Sequence, residues 1–149
     1  ALARHYPGGR PAFIRAMNNK AKQLGMRNSR FYDSTGLSTR NVSTARDLAK
    51  LITAAYRQPL IRQFTQDTNK EMRFSTPAYS LMFNNTNPLV KNSDWDVRLS
   101  KTGYTDEAGR CLLMRAKPDR QELAIVLLNS VGKRTPIGDA NRIRKWLKS

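Results

Sequence analysis

Between Trp95 and Ser130 the chain carries three apolar stretches, near 95–103, 110–117 and 122–130, joined by very short linkers. Thr105-Asp106-Glu107-Ala108-Gly109 separates the first pair and Pro118-Asp119-Arg120-Gln121 the second. Parallel strands need a crossover of about a dozen residues or more, so these stretches are predicted to form an antiparallel meander. Its apolar face needs helices to cover it, and helical periodicity appears on both sides. Phe13, Ile14, Met17, Ala21 and Leu24 recur at helical spacing after Pro11, and Gly25 ends the pattern. A second helix is expected from Thr44, where Thr44-x-x-Asp47 matches a capping box, with Leu48, Leu51, Ile52, Ala55 and Tyr56 on one face. Pro59 ends it or restarts it through Phe64. From Asn69 the period drops to two, with Met72 and Phe74 in one strand, Tyr79 to Phe83 in another, and a turn at Asn84-Asn85-Thr86-Asn87-Pro88. Thr135-Pro136 is expected to cap a final helix with an apolar stripe of Ile137, Ala140, Ile143, Trp146 and Leu147. The fold class is therefore α+β, an antiparallel sheet with packed helices.

A length of 149 residues suits one domain with a buried core. The longest apolar run, Leu123 to Leu128, is far short of the ~20 residues of a membrane-spanning helix. Lys and Arg number 27 against 11 Asp and Glu, a net charge of +16, which favours polyanionic partners through long-range attraction. The cations are spread along the chain in runs of no more than two, as a solvated surface requires, rather than gathered in a nucleic-acid arm. Cys111 stands alone in Cys111-Leu112-Leu113-Met114, which excludes an internal disulfide and predicts a small buried hydrophobe. His5 is the only histidine and sits in a turn, His5-Tyr6-Pro7-Gly8-Gly9, so no metal centre and no cofactor is expected.

Chemistry concentrates at Ser100-Lys101-Thr102-Gly103-Tyr104, at the end of the first meander strand. An ammonium at Lys101 can anchor a carboxylate, the Thr102 hydroxyl can add a hydrogen bond, and Gly103 lets a ligand backbone approach. The N–H of Tyr104 then falls where a polarised carbonyl oxygen would sit, as one arm of an oxyanion hole.

Flanking segments supply the context. Phe13-x-x-x-Met17-Asn18-x-x-Ala21-x-x-Leu24-Gly25-Met26, Phe31, Thr35-Gly36-Leu37 and Ser43-Thr44-Ala45-Arg46-Asp47-Leu48-Ala49-x-Leu51 precede Lys101-Thr102-Gly103. Asn87-Pro88-Leu89-Val90, Glu107-Ala108-Gly109-Arg110-Cys111-Leu112 and Leu127-Leu128-Asn129-Ser130-x-Gly132-Lys133 complete the set. Together these resemble the low-molecular-mass penicillin-binding proteins, D-alanyl-D-alanine endopeptidases and carboxypeptidases, most closely the periplasmic endopeptidase branch. The resemblance implies the C-terminal portion of a penicillin-binding protein/β-lactamase-like fold. It also implies a serine acyl-enzyme built from S-x-x-K, S-x-N and K-T-G. In that scheme residues 1–149 are the C-terminal portion of one D,D-peptidase domain, and Lys101, Thr102, Gly103 and Tyr104 bind substrate. Expected partners are peptidoglycan stem peptides, with β-lactam antibiotics as inhibitors, in the periplasm, and no nucleic acid.

The other two motifs do not follow the pattern. The only S-x-x-K is Ser130-Val131-Gly132-Lys133, which comes after K-T-G and lies on a strand-to-turn segment instead of opening a helix, and S-x-N does not occur. No catalytic residue is therefore expected in the chain. Nucleophile and base are expected upstream of Ala1, on a preceding segment or a separate chain, and Ala1-Leu2-Ala3 reads as the last turn of a helix. The competing readings are a small basic binding module for nucleic acid or an anionic glycan, with Arg142, Arg144, Lys145 and Lys148 as its stripe, and a β-lactamase, which shares K-T-G.

Overall fold

A computed structural model describes residues 1–149. Helices α1 (Gly9–Gln23), α2 (Ala45–Tyr56) and α3 (Pro59–Gln66) lead into a hairpin of β1 (Asn69–Ser75) and β2 (Ala78–Asn84). Strands β3 (Val97–Thr105), β4 (Gly109–Ala116) and β5 (Leu123–Ser130) and helix α4 (Thr135–Trp146) complete the chain. The meander pairs as expected, antiparallel in the order β3-β4-β5, with Ser100 opposite Met114 and Thr102 opposite Leu112.

Alternation along β4 sorts its side chains into two layers. Leu112, Met114 and Ala116 join Ile125 of β5, Ala140 of α4, and Leu89 and Trp95 of the connecting turns in the main core. The opposite face of the sheet is covered by α2, which packs on β4 and β5, and by α3, which packs on β3. The Arg115 guanidinium there lies 4.2 Å from the centre of the Tyr56 ring. One glycine is essential to this sheet: Gly109 has φ +62°, and a Cβ on it would meet Asn129 Oδ1 at 2.8 Å. Asn129 itself has φ 55° and sits where the β4–β5 register slips between Arg110 and Leu112. The bulge bends the end of β5 as it enters the turn to α4.

Several expectations require correction. Trp95 does not open β3. It lies in a short 3-10 turn, and Asp96, at φ 42°, turns the chain so that the indole is fully buried and its Nε1–H donates to Asn141 Oδ1 at 3.2 Å. Trp146 is 72% exposed. At 100° per residue it points about 120° away from Ala140, whereas Ile137 and Ile143 flank that residue at about 60°. Helix α4 is not capped by a Thr135 side chain, because its N-cap is Arg134. Both faces of the β1–β2 hairpin are exposed, so its alternation marks strand geometry and not a buried face. Within α1 only Ala21 is buried, and Phe13, Ile14 and Met17 are half-buried.

The capping box is half formed. Thr44 Oγ1 accepts from Asp47 N–H at 3.2 Å, but the Asp47 carboxylate turns away from Thr44. It accepts from Asn28 N–H at 2.8 Å and the Ser29 hydroxyl at 2.9 Å, with Lys50 Nζ at 3.2 Å. The carboxylate thereby ties the loop after α1 to the start of α2. Burial raises its pKa, yet these hydrogen bonds and Lys50 outweigh burial and hold it below the ordinary value. Further along the loop, Asp33 accepts from Thr35 and Asn41, and the Thr35 hydroxyl does most to bring it down to about 2. No helix is long and apolar enough to cross a membrane.

Truncating Leu112 to alanine is expected to cost about 2–5 kcal/mol in urea denaturation, while Trp146→Ala changes stability by less than about 0.5 kcal/mol. The carboxyls of Asp33 and Asp47 bind protons more weakly folded than unfolded. Their stabilisation is present above the ordinary carboxylate range and is lost as pH falls through their lowered folded values, about 2 for Asp33. Melting temperature followed through this window should fall in the wild type and fall less steeply in Asp33→Asn.

Candidate functional site

Strand β3 is an edge of its sheet, so its outer backbone groups have no strand partner. Along this edge Lys101, Thr102, Gly103 and Tyr104 form one wall of a groove of about 710 Å³. Thr86 and Pro88 enter from the turn after β2, Arg110, Cys111 and Leu112 from β4, and Lys133, Arg134, Pro136 and Ile137 from the turn into α4.

Period two places Ser100 and Thr102 on one face of β3, and each takes a partner from the turn after β2. Thr86 Oγ1 and Thr102 Oγ1 are 2.5 Å apart. Asn87 is buried and donates from Nδ2 to Ser100 Oγ at 2.9 Å, while its Oδ1 accepts from Leu89 N–H at 3.1 Å. The Asn87 N–H in turn donates to Asn85 Oδ1 at 3.0 Å, and Asn85 Nδ2 reaches back to the carbonyls of Thr65 and Asp67. A chain of side-chain amides therefore sets the Thr102 hydroxyl against α3 and the hairpin.

The Lys101 ammonium has no carboxylate partner and donates to the Thr102 carbonyl, an acceptor it can exchange for a ligand. A Cβ on Gly103 would lie 4.0 Å from Cys111 Cβ, so the fold itself has room for a side chain there. The Tyr104 hydroxyl donates to Asp106 Oδ1 at 2.6 Å, and that carboxylate raises its pKa. The Arg110 guanidinium lies 4.3 Å from the centre of the Tyr104 ring. Cys111 is half-buried, contrary to the sequence expectation, because its cross-strand neighbour is Gly103 and has no side chain to cover it.

Ser130 ends β5 and Lys133 lies in the turn before α4, so this S-x-x-K does not place serine and lysine on one helical face. Lys133 nevertheless reaches the groove by another route, together with Arg134. Neither they nor Thr86, Asn87 and Arg110 had been assigned a role from sequence. In sequence the Asn84–Pro88 segment reads as a turn, and Asn87-Pro88-Leu89-Val90 carries part of the family resemblance, but neither places Thr86 or Asn87 against β3. The basic stripe of α4 is half neutralised, since Arg142 pairs with Asp139, and Arg144 and Lys148 share Asp119. Asp119 is held well below the usual carboxylate range by these two partners, Arg144 first. Only Lys145 of the four remains unpaired, which is poor support for a polyanion-binding helix. Asn87→Ala would strand the Ser100 hydroxyl and the Leu89 N–H, and is expected to cost about 1–3 kcal/mol in urea denaturation. Thr86→Val, at an exposed position, should change stability by less than about 0.5 kcal/mol.

This geometry agrees with what known proteins show. The sequence profile of the D-alanyl-D-alanine carboxypeptidase family matches residues 1–132. The D-alanyl-D-alanine endopeptidase of Escherichia coli is 50% identical over 149 residues, covering 100% of this chain and 48% of that protein. A Streptomyces DD-transpeptidase superposes with a TM-score of 0.87 at 28% identity, over 98% of this chain and 60% of that one. A Listeria monocytogenes penicillin-binding protein solved with cefotaxime bound superposes with a TM-score of 0.74 at 27% identity, over 89% and 53% of the two chains. The chain thus spans about half the length of the curated relatives it matches. On the extent of this match and the shared fold, the chain belongs to the D-alanyl-D-alanine carboxypeptidase family.

Proposed function

We propose that these residues are the C-terminal portion of a single D,D-peptidase domain and form one wall of its substrate cleft. The whole protein would hydrolyse D-alanyl-D-alanine peptide bonds of peptidoglycan, as endopeptidase or carboxypeptidase, at the cell wall and in the periplasm. The observation that carries the reading is the edge-strand groove, in which an unpaired lysine, a hydroxyl and an open glycine position lie in succession. A stem peptide laid along β3 adds main-chain hydrogen bonds to the unfinished sheet edge. Lys101 anchors its carboxylate, and Thr102 donates a further bond while Thr86 donates into Thr102. Gly103 leaves room for the peptide, and the Tyr104 N–H supports the developing oxyanion.

The attacking serine and the base that takes its proton belong to the part of the protein outside these residues. Serine addition to the D-Ala carbonyl expels the amine, which takes up the proton, and water then releases the acyl group. A β-lactam would occupy the same groove, its carboxylate at Lys101 and Thr102, and the similar Listeria protein is one that has been solved with cefotaxime bound.

The test is acylation of the full-length protein by a fluorescent penicillin followed by peptide mapping. The label is expected on a serine outside residues 1–149, and an adduct on any serine within them overturns the proposal. Lys101→Ala should lower kcat/KM on cross-linked stem peptides about 10- to 100-fold, the worth of one charged hydrogen bond.

A further inference from the structure

Every charged side chain lining the groove is a cation: Lys101, Arg110, Lys133 and Arg134. None of the four takes part in any of the seven ion pairs of the chain. A net charge of +16 leaves many cations unpaired on this surface, but these share one concavity that holds no carboxylate. Like charges gathered against low-dielectric walls repel one another, and bound anions relieve that repulsion. One substrate carboxylate at Lys101 answers only part of it.

The turn between β5 and α4 holds the far pair in place. Gly132 lets the Thr135 hydroxyl approach closely, since a Cβ there would meet Thr135 Oγ1 at 2.6 Å and push that side chain to another rotamer. This close approach folds the chain directly into the helix and brings Lys133 and Arg134 to the groove rim. Arg134 is the N-cap of α4, so the positive end of that helix also faces the groove. Its first amides are already used: Thr135 N–H bonds Gly132 O, and the N–H groups of Ile137 and Gly138 bond Arg134 O. Pro136 has no N–H, so anion contacts at this rim must come from the side chains of Lys133 and Arg134.

We infer that Lys133 and Arg134 form a second anion subsite, which selects peptides bringing two carboxylates into the groove, one at Lys101 and one on an acidic side chain beside it. The inference rests on the peptidase reading and adds the substrate class: stem peptides whose residue next to the scissile bond carries a free acidic side chain, in preference to its amide. Arg110, engaged on the Tyr104 ring, adds positive potential between the two positions.

Two acetylated peptides ending in D-Ala-D-Glu and D-Ala-D-Gln test this, because both carry the terminal carboxylate and they differ only in the second charge. Calorimetric titration of the full-length protein, with the penicillin-labelled serine replaced by alanine so that neither peptide is cleaved, should show about tenfold tighter binding of the D-Glu peptide. The double variant Lys133→Ala/Arg134→Ala should bring the two affinities within about twofold of each other, with the larger loss on the D-Glu peptide. Both residues are exposed and without ion-pair partners, so the variant is expected to fold, and an unaltered melting temperature checks this. Lys145→Ala, about 15 Å further along α4, should keep the preference and so excludes a general effect of net charge. Equal affinities in the wild type, binding of neither peptide, or a preference that survives the double variant overturns the subsite. Penicillin acylation reports separately on the peptidase reading: a charge preference without acylation retains the subsite and rejects the enzyme, and acylation without the preference does the reverse.

Discussion

A single buried amide, Asn87, couples the cleft strand to the turn that faces it. It sits in the core with Nδ2 directed at Ser100 and within 3.8 Å of Met114 Sδ, and its carbonyl oxygen takes the Leu89 N–H. A polar group so placed tolerates one arrangement, since leaving it unpaired would cost about 1–3 kcal/mol. The phase of β3 follows from that bond. A slip of one residue would turn Ser100 outwards and exchange the faces of Lys101 and Thr102. The hydrogen bond between the Thr86 and Thr102 hydroxyls exists only in the register that Asn87 selects. Packing in the core thus determines the chemistry available at the rim.

No acidic side chain lines the groove, although Asp106 borders it through the Tyr104 hydroxyl. Asp119 neutralises the back of α4, Asp47 pins the loop after α1, and Asp96 and Glu122 pair with Arg98 and Arg115. Each stabilises a junction between elements, and none lines the concavity beside K-T-G. The charge imbalance of the sequence is consequently expressed as a local field in the groove, while three of the four cations of the α4 stripe are held in ion pairs.

Local patterns revealed most of the architecture because they are local causes. Short turns and apolar runs dictate the meander, and Pro59 restarts a helix within its own neighbourhood. Misplaced residues depended on distant partners. Trp95 continues the alternation of β3 in sequence, yet Asp96 breaks the strand and the indole is claimed by Asn141 of α4. Cys111 is apolar in context, but its exposure depends on a glycine across the strand. Of the site, Lys101 to Tyr104 were readable as a motif. Thr86, Arg110 and Arg134 were not, because nothing in their own segments encodes the groove that joins them.

An edge strand is also a hazard. Bare N–H and C=O groups on β3 could template the edge of another molecule, and sheets commonly guard such borders with charge. Lys101 stands at that border, with Arg98 three residues before it on the same strand. The lysine that would hold a carboxylate therefore also discourages strand-to-strand polymerisation. On the proposed reading, solubility and substrate capture would converge on one ammonium group, so that replacing it with an apolar residue would remove both the anchor and the guard.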